Sequence, residues 1–175
     1  MSKNPNDYDV LVFSDGSGYK DGYGGWATMA CTPDKNIKLF RMAAVVGTTV
    51  DIAEMTGMLE GLSLAHDIAL DIPKFYQYRI TSGFEHPDKP KVLIYSDREN
   101  MVLSVKKVYD RSNSPDLWAR FEHFEKVLDI DALHVERETD FPEFQFCDLS
   151  ASTGRCIAKG YAENCKMPPI FLSFQ

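Results

Sequence analysis

The sequence predicts a mixed α/β fold: a five-stranded sheet, antiparallel at its start and parallel afterwards, with helices on both faces. Three observations lead there. Three strand-like segments joined by short turns come first, the pattern of an antiparallel meander. Strands then alternate with helical segments, an order that makes neighbouring strands parallel. The 175 residues, 44% hydrophobic and 26% charged, contain no internal repeat, low-complexity tract or Gly/Ser linker. A single domain over residues 1–165 is expected, followed by a C-terminal tail, residues 166–175.

Asp9 to Ser14 (DVLVFS) is an apolar run entering the Gly-dense turn DGSGYKDGYGG, as a buried strand would. Tyr23 to Cys31 and Ile37 to Val46 are two further strands, separated by the turn TPDKN. Asp51 to Ala69 is a helix with Ile52, Met55, Leu59, Leu62 and Ala69 on one face; Asp51 is its expected N-cap and Glu54 completes a capping box. Lys91 to Ser96 (KVLIYS) forms a fourth strand, and Asp97 opens a second helix through Tyr109. Ser114-Pro115-Asp116 starts a third helix with Leu117, Trp118, Phe121, Phe124 and Leu128 on its apolar face. Ala132 to Arg137 is a fifth strand, and Phe146 to about Glu163 the last helix.

Composition narrows the function. The longest uncharged hydrophobic stretches, MAAVVGTTV and PPIFLSF, fall well short of the roughly 18 residues a membrane span needs, so no membrane partner is expected. The polar, acidic start MSKNPNDYD is unlike a secretory signal, which makes the cytoplasm the expected location. Cys31, Cys147, Cys156 and Cys165 form no CxxC pair, and the four histidines are scattered singly, so reduced thiols fit better than a zinc site. With 19 Lys plus Arg against 26 Asp plus Glu, the formal charge is −7, which at first argues against a nucleic-acid partner. The charge is uneven, however: residues 71–126 hold 10 of the 19 cations against 9 acids.

Four acids fall at element ends that such a sheet would gather. Asp15 follows the first strand, Glu54 lies in the first helix, Asp97 follows the fourth strand and Asp148 begins the last helix. Taken singly, each has a local explanation as a turn former or helix-end charge. Taken together, they are oxygen donors from separate elements that can converge on hard divalent cations.

Five blocks around these acids resemble the small ribonuclease H family. VLVFSDGSG followed by GYGGWATMA resembles its first two strands, and TTVDIAEMTGMLEGLSLA its first helix, with Glu54 at the catalytic glutamate. VLIYSDREN is similar to its fourth strand and DLWARFEHF to its DLW helix. ERETDFPEFQFCDLSAS aligns with the last segment, placing Pro142 and Glu143 in register and Asp148 at the final carboxylate. The resemblance covers roughly residues 8–160. It implies a metal-dependent endonuclease that hydrolyses the RNA strand of RNA–DNA hybrids, with Asp15, Glu54, Asp97 and Asp148 binding two Mg²⁺ (or Mn²⁺) ions. It also implies that Gly16 and Ser17 lie against the substrate, whose 2′-hydroxyl distinguishes RNA from DNA. Two other functions suit the same residues: a nucleic-acid-binding scaffold of this fold without turnover, and a DNA nuclease resembling a junction resolvase.

The chain also departs from the family. The loop histidine that assists catalysis falls at Glu138, the Asn of that loop at Phe144, and the hybrid-touching pair at Val50 and Asp51. The polar residue two past the third acid becomes Glu99, and there is no room for the basic protrusion after the second helix. An apparent insertion near residues 70–90 instead interleaves Lys74, Tyr76, Tyr78 and Arg79, a composition suited to stacking on bases and neutralising phosphates; it equally suits a loop covering the sheet edge. Lys106, Lys107 and Arg111 form a second candidate phosphate strip, and the apolar Ile170-Phe171-Leu172 of the tail suits either a core contact or docking on a protein partner.

Overall fold

The structure, a computed structural model, describes residues 3–71, 89–136 and 141–165. Its elements are β1 (Val10–Gly18), β2 (Tyr23–Cys31), β3 (Lys38–Val46), α1 (Val50–Asp71), β4 (Lys91–Ser96), α2 (Glu99–Val105), α3 (Pro115–Val127), β5 (Asp129–His134) and α4 (Pro142–Cys165). The strands form one sheet in the order β3-β2-β1-β4-β5. β1, β2 and β3 pair antiparallel, whereas β4 joins β1, and β5 joins β4, in parallel. This is the expected meander followed by parallel strands.

Side-chain alternation in the central strands divides the core between the two faces. Val10 and Val12 of β1, with Val92 and Ile94 of β4, pack against Met58, Leu62, Val102 and Phe121 of α1, α2 and α3. Leu11 and Phe13, with Leu93 and Tyr95, turn to the opposite face and meet Phe144, Cys147 and Ala151 of α4. Phe13 and Tyr95 stack there at 4.7 Å between ring centroids. Cys31 and Cys147 are buried free thiols on this face, pushed up to about 11 and about 12 chiefly by burial; Cys156 is an exposed thiol.

Several element boundaries differ from expectation for local reasons. β1 runs on to Gly18, so Asp15 lies inside the strand, paired with Ala27. α1 is capped by Thr49, whose Oγ accepts the Ile52 amide at 3.3 Å; Asp51 is already helical and is not the N-cap. α2 stops at Val105 rather than Tyr109, because Lys107 takes a left-handed φ of 59° and the Arg111 guanidinium occupies the carbonyls of Ser104 and Val105. β5 begins three residues early, where Asp129 pairs with Lys91. α4 begins at Pro142, so Asp148 lies inside the helix and does not open it.

Candidate functional site

The parallel pairing of β1 and β4 matches Phe13 with Tyr95. Asp15 and Asp97 each lie two residues beyond that pair, Asp15 still within β1 and Asp97 just past the end of β4, so the two acids stand level at one end of the β1–β4 ladder. β1 also fixes Glu54. The Gly16 main chain packs directly against α1 at this residue, which sets the Gly16 amide beside the Glu54 carboxylate. One carboxylate oxygen from each of Asp15, Glu54 and Asp97 lies within 4.8 Å of the other two. Asp15 is 1% exposed and Glu54 4% exposed, so this is a recessed acidic cluster rather than a solvated surface patch.

Burial, followed by the charges of Asp15 and Asp97, holds the Glu54 carboxyl well above the usual carboxylate range; Arg98 and the Gly16 amide oppose the rise. Three carboxylates this close repel one another by a few kcal/mol per pair at the dielectric near a protein surface. A divalent cation would remove that cost. The donor set suits Mg²⁺ or Mn²⁺, which prefer carboxylate oxygens, and contains no thiol or imidazole.

Asp148 is half-buried on α4 and does not join the 4.8 Å group. Its neighbour Cys147 donates through Sγ to the Phe13 carbonyl at 3.4 Å, which brings this turn of α4 against the strand bearing Asp15. Ser17 is half-buried and pairs with Gly25 in the β1–β2 ladder.

Lys106 and Lys107 are not gathered with the acids. With Lys89 and Lys91 they line a cavity of about 570 Å³ where β4 begins, roughly 20 Å along the strand from Asp97. Lys107 is paired there with Glu125 at 3.4 Å, and Arg111 is bound to Glu125 by two hydrogen bonds of 2.9 and 3.0 Å. Arg111 is thus committed to the fold and is not a free phosphate contact. Glu138, Lys74, Tyr76, Tyr78, Arg79 and the tail lie outside the described residues.

Two further residues stand beside the cluster. Arg98 pairs with Asp51, and its Nε lies 3.9 Å from Glu54 Oε1. The His134 Nε2 lies 3.1 Å from the Asp97 carbonyl oxygen; His134 is the residue of β5 that pairs with Ser96 of β4. Sequence reasoning singled out neither. For His134 the usable signal was its place at the end of a strand parallel to the one before Asp97; for Arg98 there was none beyond adjacency to an acid.

This architecture, with helices on both faces of a mixed five-stranded sheet and acids level at one end of the β1–β4 ladder, is the ribonuclease H-like fold. Among similar solved structures is the N-terminal RNase H domain of a Mycobacterium tuberculosis protein, solved as a fusion with maltose-binding protein. It has a TM-score of 0.65 and 18% identity over 87% of this chain and 97% of that one. LC11-RNase H1, a metagenomic protein from compost solved in complex with an RNA/DNA hybrid, gives 0.64 and 16%, over 86% and 99% of the two chains. RNase H1 from the halophilic archaeon Halobacterium salinarum gives 0.58 and 18%, over 87% and 98%. No family model matches the sequence, and comparison with curated proteins finds no match.

Proposed function

We propose that this protein is a metal-dependent endonuclease that hydrolyses the RNA strand of RNA–DNA hybrids. The observation that carries this reading is the convergence of Asp15, Glu54 and Asp97 from a strand, a helix and a strand end onto one recessed point. It is supported by the likeness to LC11-RNase H1, a protein solved with such a hybrid.

In this reading Asp15, Glu54, Asp97 and Asp148 would hold two Mg²⁺ or Mn²⁺ ions, with Asp15 the central ligand, Glu54 and Asp97 serving the side of the attacking water, and Asp148, from α4, the other side. Bound there, the ions lower the pKa of water and stabilise the leaving oxyanion. The carboxylates supply negative charge and fixed geometry, and the chemistry needs no covalent nucleophile from the chain. Gly16 and Ser17 present the β1 main chain beside the cluster, where a strand carrying a 2′-hydroxyl can be read. Lys74, Tyr76 and Arg79 are assigned to backbone and base contacts, with Lys106 and Lys107 reaching phosphates farther along the duplex, and Glu138 to proton transfer.

The acidity of the chain fits this function: two divalent ions would change the formal −7 to −3. The test is cleavage of a labelled hybrid with Mg²⁺ and with Mn²⁺, beside duplex DNA, duplex RNA and a four-way junction. Hybrid-specific cleavage that disappears in Asp97→Asn is expected. Failure of the wild type to cut the hybrid, or undiminished cutting by the variant, would overturn the reading.

A further inference from the structure

Arg98 brings a cation to the acidic cluster from the residue directly after Asp97. Its guanidinium reaches two acids of α1: it makes an ion pair with Asp51, which is 75% exposed, and Nε lies 3.9 Å from Oε1 of Glu54, which is 4% exposed. Arg98 itself is 38% exposed. The guanidinium therefore spans from the buried carboxylates to the surface. Its main chain is pinned at the turn, where the Arg98 amide donates to Ser96 Oγ at 3.1 Å. Beside it lies a recess of about 140 Å³ between α1, α2 and the segment before α3, whose wall mixes Asn100, Asn113 and Asp110 with Met55, Met101 and Trp118.

We infer that Arg98 is the phosphate-gripping residue of this site, anchored by Asp51, and that it also acts as a counter-ion which divalent metal must displace from Glu54. The inference rests on the nuclease reading above. A guanidinium presents a planar fork of donors that matches a phosphate with two parallel hydrogen bonds. Without metal, its most favourable partners are the carboxylates. When divalent cations neutralise Asp15, Glu54 and Asp97, the attraction that holds Arg98 to the cluster is lost. Asp51 retains it at the rim, facing solvent and this recess, where the backbone of a bound strand supplies phosphate oxygens. One residue therefore weakens metal binding and strengthens substrate binding, and it supplies the contact that Val50 and Glu99 do not.

The experiment compares the full chain with Arg98→Gln and Arg98→Lys, using the urea midpoint as the folding control. Calorimetric titration with Mn²⁺ alone should show Arg98→Gln binding the metal about fivefold to tenfold more tightly, with Arg98→Lys near the wild type. Fluorescence anisotropy with a labelled RNA–DNA hybrid in Ca²⁺ should show Arg98→Gln binding about tenfold more weakly, with a salt slope shallower by about one unit, and Arg98→Lys intermediate. Unchanged Mn²⁺ affinity in a folded Arg98→Gln overturns the inference, as does unchanged hybrid affinity and salt slope. If the wild type itself binds no hybrid while the Mn²⁺ titrations behave as expected, the nuclease reading fails and the effect of Arg98 on metal stands.

Discussion

A methyl group added to Gly16 would lie 2.3 Å from the backbone nitrogen of Glu54 and 2.6 Å from its Cα. Both are main-chain atoms inside α1, so no side-chain rotation relieves the clash. β1 and α1 approach this closely only because residue 16 has no Cβ, and the approach carries the Glu54 carboxylate to Asp15. Gly16→Ala is therefore expected to cost about 3 kcal/mol of stability, measured by urea unfolding. It should also lower hybrid cleavage by more than tenfold at temperatures where the variant remains folded. A loss below 1 kcal/mol would show that α1 shifts freely.

Removing one charge from the cluster should affect the protein in opposite ways with and without metal. In EDTA, Asp97→Asn relieves repulsion on Asp15 and Glu54 and should raise Tm by about 3 °C, corresponding to about 1 kcal/mol at this chain length. Millimolar Mn²⁺ should raise the wild-type Tm by binding the folded state and leave the variant nearly unmoved. Thermal scans in both buffers check this; equal Mn²⁺ shifts in the two proteins would count against the cluster as the metal site.

Glu54 gives a pH signature. Burial and the neighbouring carboxylates raise its folded pKa above the unfolded value. Its contribution to stability is then complete below the unfolded value and is lost as pH rises through the raised folded value. In EDTA the stability of the wild type relative to Glu54→Gln should fall steadily from pH 4 towards neutrality, as read from urea midpoints. Taking the difference between the two proteins removes the opposing carboxylates elsewhere. A flat difference would mean that Glu54 is not strained by its neighbours.

Arg111 provides a structural contrast to the candidate site. Its guanidinium binds Glu125, accepts no partner role at the acids, and lies 4.8 Å from the ring centroids of both Trp118 and Phe121. Burial raises the Glu125 carboxyl, but the Arg111 hydrogen bonds and charge outweigh this and hold it below its usual value. Arg111→Ala should cost about 3 kcal/mol with little change in KM for the hybrid. Because the Glu125 pKa is depressed on folding, this stabilisation is present above the ordinary carboxylate value and fades as pH falls through the folded one. Denaturation of wild type and variant should therefore converge in acid.

The order of elements was legible in the sequence because it rests on local signals: apolar runs, turn residues and helical periodicity. Of the four acids expected to converge, Asp15, Glu54 and Asp97 lie within 4.8 Å of one another and Asp148 stands outside that group. The expected fifth strand, Ala132 to Arg137, misses the first three residues of β5, which include Asp129 and Asp131; both belong to an edge strand, where charge is tolerated. The start of α4 was placed late although Pro142 suits a first helical position. The Thr49 cap was hidden by Asp51, an equally good capping residue two positions on. Arg98 was beyond local reasoning, since its contacts with Asp51 and Glu54 join segments more than forty residues apart in the chain.

The parallel ladder that sets Asp15 level with Asp97 is made of main-chain hydrogen bonds, and such bonds are indifferent to the side chains between them. The site is thus insured against substitution but not against a change of length. Most positions in β1 and β4 can drift among apolar residues while the acids stay level. A single residue inserted in either strand between the paired segment and its acid would turn that carboxylate to the other side of the sheet. Among distant relatives, the count of residues from ladder to acid should therefore persist long after the letters have changed.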